Sequence, residues 1–281
     1  MPEPTFSDYS QELRSLYNRA TPREFNPEQD YASRRLGDLL EYARLNSTTR
    51  ILDLGCGTGW AGVLLTRDYP KRRYEGLDLA YRSIQVANQL RQDYGLYAQT
   101  TFRFLDVAEA RYAPESFDLV VCSSALPLFA SWQKILERVY QWLSPEGQLL
   151  CSTYEPDSFF NAQIKASAQE VFGVSLPDVK EVLGSVAQAK EILTQIGFRK
   201  VVTVRTNYDR LRVVESVTWD GTWIHPDNPL RNLSAEKKKL LSATFGRKIQ
   251  ALALRQALAK QVPDETKVLE LRRHLYTQAS K

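Results

Sequence analysis

Three aspartates and a run of glycines have the types and spacing to do chemistry together. Asp53 stands just ahead of Gly55, Gly57 and Gly59 in ILDLGCGTGW, Asp78 follows the run RYEGL, and Asp106 follows FRFL. Each acid comes at the end of a short apolar run that reads as a strand. Glycine takes positive φ readily and lets a ligand approach bare backbone. A glycine turn between a strand and a helix also aims unpaired N–H groups at whatever lies before the helix. A carboxylate at Asp53 can accept from a cationic amine and repels a pyrophosphate. One at Asp78 can accept both hydroxyls of a ribose. One at Asp106, with the Val107 N–H beside it, can accept from the exocyclic amine of an adenine. In open α/β sheets such ligands lie at the carboxyl ends of the strands. The three acids therefore describe a ligand with an amino-acid part, a ribose and an adenine, and no need of phosphate.

The glycines alone are ambiguous. Gly57, Gly59 and Gly62 also fit the GxGxxG spacing of dinucleotide sites. An NAD-dependent oxidoreductase is thus one alternative, although it leaves Asp53 and Asp106 idle and the chain has no SxxxxYxxxK arrangement. A second alternative is a non-catalytic relative that keeps the pocket and binds without turnover.

The elements that must position these residues are legible from Arg50 onward. The runs RILDL, RYEGLDL, FRFLDV, FDLVVCS and GQLLCST alternate with the amphipathic stretches WAGVLLTRDY, YRSIQVANQLRQDYG and SWQKILERVYQWLSPEG. That rhythm predicts a parallel sheet with helices on both faces. Upstream, QELRSLYNRA and YASRRLGDLLEYARL carry apolar groups at helical spacing and form a helical cap segment over residues 1–46. The main domain, 47–281, is interrupted twice. One insertion, at about 156–186, is helical in pattern. After it come the helix VAQAKEILTQIG and the strand FRKVVTVRT. The other, at about 207–263, holds TWDGTWIHPDNPL and a long helix. KVLELRRHLYTQASK then reads as a closing strand.

The cofactor-side motifs, taken in order, resemble those of the class I S-adenosylmethionine-dependent methyltransferases: ILDLGCGTG, YEGLDLAYRSI, FRFLDVAEA and FDLVVCSSALPLF. The resemblance covers about Arg50 to Thr153. It implies a Rossmann-like α/β fold, with a seven-stranded, mostly parallel sheet whose last strand is antiparallel and a helical cap from the N-terminus and the two insertions. It implies S-adenosylmethionine as cofactor. Asp53, Gly55, Gly57 and Gly59 would hold the methionine part, Asp78 and Leu79 the ribose, and Asp106 with Val107 the adenine. Ser123 and Ser124 would lie near the methionine and the acceptor. The implied activity is methyl transfer to a small organic acceptor, with oxygen or carbon favoured over nitrogen.

The acceptor pocket should come from what is not sheet. The aromatics there are Tyr9, Tyr17 and Tyr31, then Phe159 and Phe160, then Trp219 and Trp223. Tyr17, Phe160, Trp219, Trp223 and His225 are taken as the acceptor-side residues. His225 is the candidate base, since a histidine with a pKa of about 6.5 can accept a proton at neutral pH. The stretch TWDGTWIHPDNPL is similar to the cap of trans-aconitate-type carboxyl methyltransferases, which implies a carboxylated acceptor. Arg205, Arg210, Arg212 and Arg231 could then supply the positive charge.

Composition bounds the rest. The 281 residues are 43% hydrophobic, enough for one large domain with insertions. The net charge of +4 is modest, and with no appended nucleic-acid motif it argues against a nucleic-acid partner in spite of the basic run EKKKLL. Cys56, Cys122 and Cys151 form no CxxC pair, and His225 and His274 are the only histidines, so no metal site is expected. An odd cysteine count and an N-terminus without a signal-peptide pattern point to the cytoplasm. No run is long enough to span a bilayer. A monomer or a homodimer is compatible with all of this.

Overall fold

The computed structural model describes residues 8–21, 31–155, 158–176, 182–219, 229–230 and 232–281. Trp223, His225 and Arg231 lie outside the described residues, as do most of the positions in TWDGTWIHPDNPL.

The chain begins with two helices, α1 (Asp8–Ala20) and α2 (Tyr31–Leu40). Strand–helix alternation follows as the sequence predicts: β1 (Arg50–Leu54), α3 (Trp60–Thr66), β2 (Arg73–Asp78), α4 (Tyr81–Asp93), β3 (Thr100–Phe104), β4 (Phe117–Ser123), α5 (Trp132–Trp142) and β5 (Leu143–Tyr154). Then come α6 (Asn161–Phe172), α7 (Val186–Ile196), β6 (Arg199–Asn207), β7 (Arg210–Val213), α8 (Ala235–Leu258), β8 (Lys267–Glu270) and β9 (Arg273–Ser280). Seven strands form one sheet in the order β3-β2-β1-β4-β5-β9-β6. β1 pairs in parallel with β2 and β4, β2 with β3, and β4 with β5. β9 runs antiparallel to β5, with the Glu155 N–H donating to the Arg273 carbonyl and the Lys281 N–H to the Gly147 carbonyl. Ile51, Leu52 and Leu54 in β1 and Leu119, Val120 and Val121 in β4 are almost fully buried. Such unbroken apolar runs are what a central parallel strand, covered on both faces, requires.

Two details differ from the sequence reading. The closing strand is two: β8 pairs antiparallel with β7 in a separate ribbon, with Leu211 opposite Leu269, and β9 joins the main sheet. Charge marks the break. Arg272 turns back onto Glu270 at 2.7 Å, and Arg212 reaches the same carboxylate at 3.5 Å. The second detail concerns Asp106. β3 ends at Phe104, so Asp106 lies just beyond the strand and caps the short 3-10 turn Val107–Glu109 through the Ala108 N–H at 2.8 Å.

By their contacts the residues fall into two compact units. One takes in the described residues of 1–153, 185–204 and 276–281, and so includes α1 and α2. The other takes in those of 154–184 and 205–275. The second unit has a core of its own, in which Phe160 and Ile164 pack with Leu241, Phe245, Ile249 and Val268. α6 lies on α8 there, with Lys248 paired to Glu170 across them.

Candidate functional site

The first unit gathers the glycine turn and all three acids at the carboxyl ends of its strands. Parallel register sets Asp53 beside Gly76 on one side and Val121 on the other. The turn itself is pinned to β2, because the N–H groups of Gly55 and Cys56 both donate to the Leu77 carbonyl, at 2.8 and 2.9 Å.

The three glycines of the turn do different things. All have positive φ, at +76°, +53° and +81° for Gly55, Gly57 and Gly59. A Cβ on Gly55 would collide with the Ala125 methyl, and one on Gly59 would come within 2.7 Å of both Ala87 and the Phe102 ring. These two let helix and strand close up. A Cβ on Gly57 would meet nothing within 4 Å. Gly57 faces open space instead.

Asp53 is buried, with one oxygen taking a hydrogen bond from the Tyr74 hydroxyl at 2.6 Å. Its other oxygen, Oδ1, is also buried and accepts no hydrogen bond from any described residue. Burial pushes its pKa up to about 7; the Tyr74 hydrogen bond works against that shift and the nearby Asp78 adds to it. An orphaned carboxylate oxygen is costly unless something donates to it. A cationic amine would do so and would restore the charged form.

Asp78 accepts from the Gly57 N–H at 2.8 Å through one oxygen and from the Ala80 N–H at 2.7 Å through the other. Burial raises its pKa, while these two donors hold it down. Each oxygen keeps a second lone pair for a ligand hydroxyl. Leu79 beside it is half-buried, as is Ser123 at the end of β4. Asp106 accepts from Ala108 through one oxygen and from the Ser10 hydroxyl through the other, and Val107 is buried.

Ser10 belongs to α1, and this is what sequence reasoning missed. α1 is tied along the strand ends and α4. Tyr9 donates to the Leu128 carbonyl at 3.0 Å, Asn18 accepts from the Arg82 N–H at 2.9 Å, and Thr21 and Ser83 share a hydrogen bond of 2.9 Å. No helix periodicity encodes which strand end a helix will cover. Tyr74 was missed too, though its register opposite Ile51, two residues before Asp53, would have placed it on the neighbouring strand.

The acceptor-side residues are not brought together in one unit. Tyr17 is on α1 and exposed. Phe160 and Trp219 pack into the second unit's core, Phe160 only 6% exposed and Trp219 edge-on to Phe245 at 5.8 Å. Of the arginines suggested for a carboxylate, Arg205 pairs with Glu155 at 2.6 Å, Arg212 reaches Glu270, and Arg210 lies in β7.

Residues 45–202, more than half of the chain, match a family model described as a methyltransferase domain. The chain belongs to that methyltransferase family. It is 31% identical over 150 residues to a malonyl-[acyl-carrier protein] O-methyltransferase of Bacillus cereus, covering 52% of this chain and 54% of that protein. It is 25% identical over 168 residues to a phosphoethanolamine N-methyltransferase of Plasmodium falciparum, covering 59% of each. The chain thus spans little more than half the length of these curated relatives. Among solved structures, the YcgJ protein of Bacillus subtilis superposes with a TM-score of 0.58 at 17% identity, over 88% of this methyltransferase-family chain and 98% of that one. Among the described residues, no helix is long and apolar enough to cross a membrane.

Proposed function

We propose that this chain binds S-adenosylmethionine and transfers its methyl group to a small organic acceptor, on oxygen or carbon. The observation that carries the reading is the buried Oδ1 of Asp53, at the end of β1 ahead of the glycine turn, which has no hydrogen-bond partner among the described residues. A dinucleotide would bring a pyrophosphate to that place, and a buried carboxylate repels it. An amino-acid ammonium group answers both the orphaned oxygen and the raised pKa. The family match to a methyltransferase domain supports the same reading, and nothing supports the oxidoreductase alternative.

The residues fit the cofactor. Asp53 would take the amine, Gly55, Gly57 and Gly59 would give the backbone approach, Asp78 and Leu79 would hold the ribose, and Asp106 with Val107 the adenine. The cofactor, once bound, supplies a sulfonium-activated methyl for in-line displacement. The protein's part is to fix the methyl's position, exclude water, and seat the acceptor in line. Ser123, the last residue of β4, and Ser124 after it would lie near the methionine and the acceptor. A carboxylate acceptor needs no base, whereas a phenol or activated carbon gives up a proton. His225, together with Tyr17, Phe160, Trp219 and Trp223, remains our proposal for that side. The two relatives named above are a malonyl-[acyl-carrier protein] O-methyltransferase and a phosphoethanolamine N-methyltransferase, and both names describe an anionic acceptor, which supports one here. We place the chain in the cytoplasm, a placement supported by three free, buried thiols.

Calorimetric titration with S-adenosylhomocysteine and, in parallel, with NAD tests the reading. Micromolar binding of the first and none of the second is expected. Binding of NAD alone would overturn the assignments of Asp53 and Asp106.

A further inference from the structure

α8 packs inward through Leu241, Phe245, Ile249 and Ala253, all buried. A helix at the surface ordinarily turns polar and charged residues outward. α5 does so, exposing Gln133, Lys134, Glu137 and Gln141. α8 does not. It exposes Leu240 at 54%, Leu254 at 48% and Leu258 at 76%. Methyl transfer gives these leucines no role, and folding would favour burying them.

The three leucines share one side of the helix. At about 3.6 residues per turn, Leu254 stands about four turns after Leu240 and Leu258 about five, so the row is roughly 27 Å long. Ala243 and Ala251, also exposed, fall between them on the same side. Arg247 falls there too, but it is drawn aside to the Thr244 hydroxyl at 3.0 Å and to Glu170 of α6 at 3.5 Å. Cations edge the row. Lys239 lies along one margin, Lys237 and Arg255 along the other, and all three are exposed. The basic run EKKKLL is the start of this arrangement. Along its 24 residues α8 carries Lys237, Lys238, Lys239, Arg247, Lys248 and Arg255 against a single acid, Glu236.

An apolar row between two cationic margins is complementary to a surface that is apolar within and anionic at its boundary. An anionic lipid leaflet has that profile, with acyl chains below and phosphates at the level of the cations. Lysine and arginine stems are long enough for the leucines to enter the acyl boundary while the charged heads stay among the phosphates. A straight row on the outer side of a helix meets a flat surface along its whole length. A protein would have to offer a groove as long, with acids on both walls. We propose that the outer face of α8 binds an anionic lipid surface, the helix lying flat at the interface with Leu240, Leu254 and Leu258 inserted. The helix lies on the membrane and does not cross it. This binding does not depend on which cofactor the first unit holds.

Flotation of the full chain with vesicles tests the proposal. One set is phosphatidylcholine alone, the other equal parts of phosphatidylcholine and phosphatidylglycerol. The protein should float with the mixed vesicles and not with the neutral ones, and high salt should weaken the binding. The triple variant Leu240→Gln, Leu254→Gln, Leu258→Gln should lower the bound fraction roughly tenfold or more. Glutamine is a good helix former and the replaced side chains are exposed, so this variant should melt with the parent. The double variant Lys237→Gln, Lys239→Gln is an independent arm and should lower binding roughly threefold or more. A parent that floats with neither vesicle, or a leucine variant that floats as well as the parent, would overturn the proposal. A parent that ignores vesicles but dimerises through the leucines, seen by light scattering, would give the row to a second copy of the chain and overturn lipid binding too. Retention on an acidic polypeptide resin without vesicle binding would do the same in favour of a protein partner.

Discussion

Asp53 and Phe160 were both read from sequence as residues that face a ligand, and they ended in opposite situations. Asp53 is buried with an oxygen that nothing among the described residues satisfies. Phe160 is buried with every reason to stay, in the core of the second unit against Ile164 and Leu241. An acid at a strand's end has its position fixed by backbone register, and burial leaves a polar atom that demands a partner. An aromatic in an insertion has no such address, and its burial is satisfied by any apolar neighbour. The difference is one of demand: Asp53 still lacks a partner for one oxygen, whereas Phe160 already has apolar neighbours.

The sharpest way to break that comparison is Phe160→Ala. Truncating a buried phenylalanine costs about 3–5 kcal/mol, so chemical denaturation should show a loss of that size. Nucleoside affinity, measured on the folded variant, should not change. A variant of parental stability would show that Phe160 contributes little to the second unit's core.

The glycine turn gives a smaller effect and a sharper contrast. Gly59→Ala combines overpacking against Ala87 and Phe102 with a left-handed backbone, worth together roughly 2–5 kcal/mol of stability. Gly57→Ala meets open space, so only the backbone term of about 1–2 kcal/mol applies. Yet Gly57→Ala should lose at least tenfold in S-adenosylhomocysteine affinity, because its methyl faces the ligand. Paired melting curves and titrations check both halves. Equal melting points for the two variants would contradict the division of labour within the turn.

A further expected effect is in pH. Asp53 has its pKa raised to about 7, so in the ligand-free protein it holds a proton that the unfolded chain, with an ordinary aspartate pKa of about 3.9, has released. The folded state binds more protons between those values, so its stability falls as pH rises from about 4 to 7. An ammonium ligand prefers the ionised carboxylate. Affinity for S-adenosylhomocysteine should therefore rise as pH climbs through about 7, and stability of the free protein should decline over the window below it. Asp53→Asn should flatten both profiles. A parental slope that survived in Asp53→Asn would assign the titration to another group.

Much of the first unit was legible in the chain. Continuous apolar runs such as VVC in β4 can only be strands covered on both faces, and the alternation of runs with amphipathic stretches fixes a parallel sheet. Asp53 and Asp78 could be named because each stands near the end of an apolar strand run, within β1 and at the end of β2. Asp106 shows the limit of that counting, since it caps a turn beyond β3 and does not end the strand. The second unit was less legible. The sequence reading gave its helices, but the β7–β8 ribbon joins strands of four residues each across a long helix. Short pairings separated by more than fifty residues leave no local pattern.

What the amino-acid order determined by itself was local: where strands begin, where glycine must relax the backbone, which acid follows which strand. Those depend on neighbours a few residues away. What tertiary structure decided was everything set by distant pairs. It laid α1 across Asp106 through Ser10, placed the Tyr74 hydroxyl under Asp53, and brought Arg35 to Ser124 from 89 residues away. Hydrogen bonds and burial choose such partners by proximity in space, and periodicity along the chain carries no record of it.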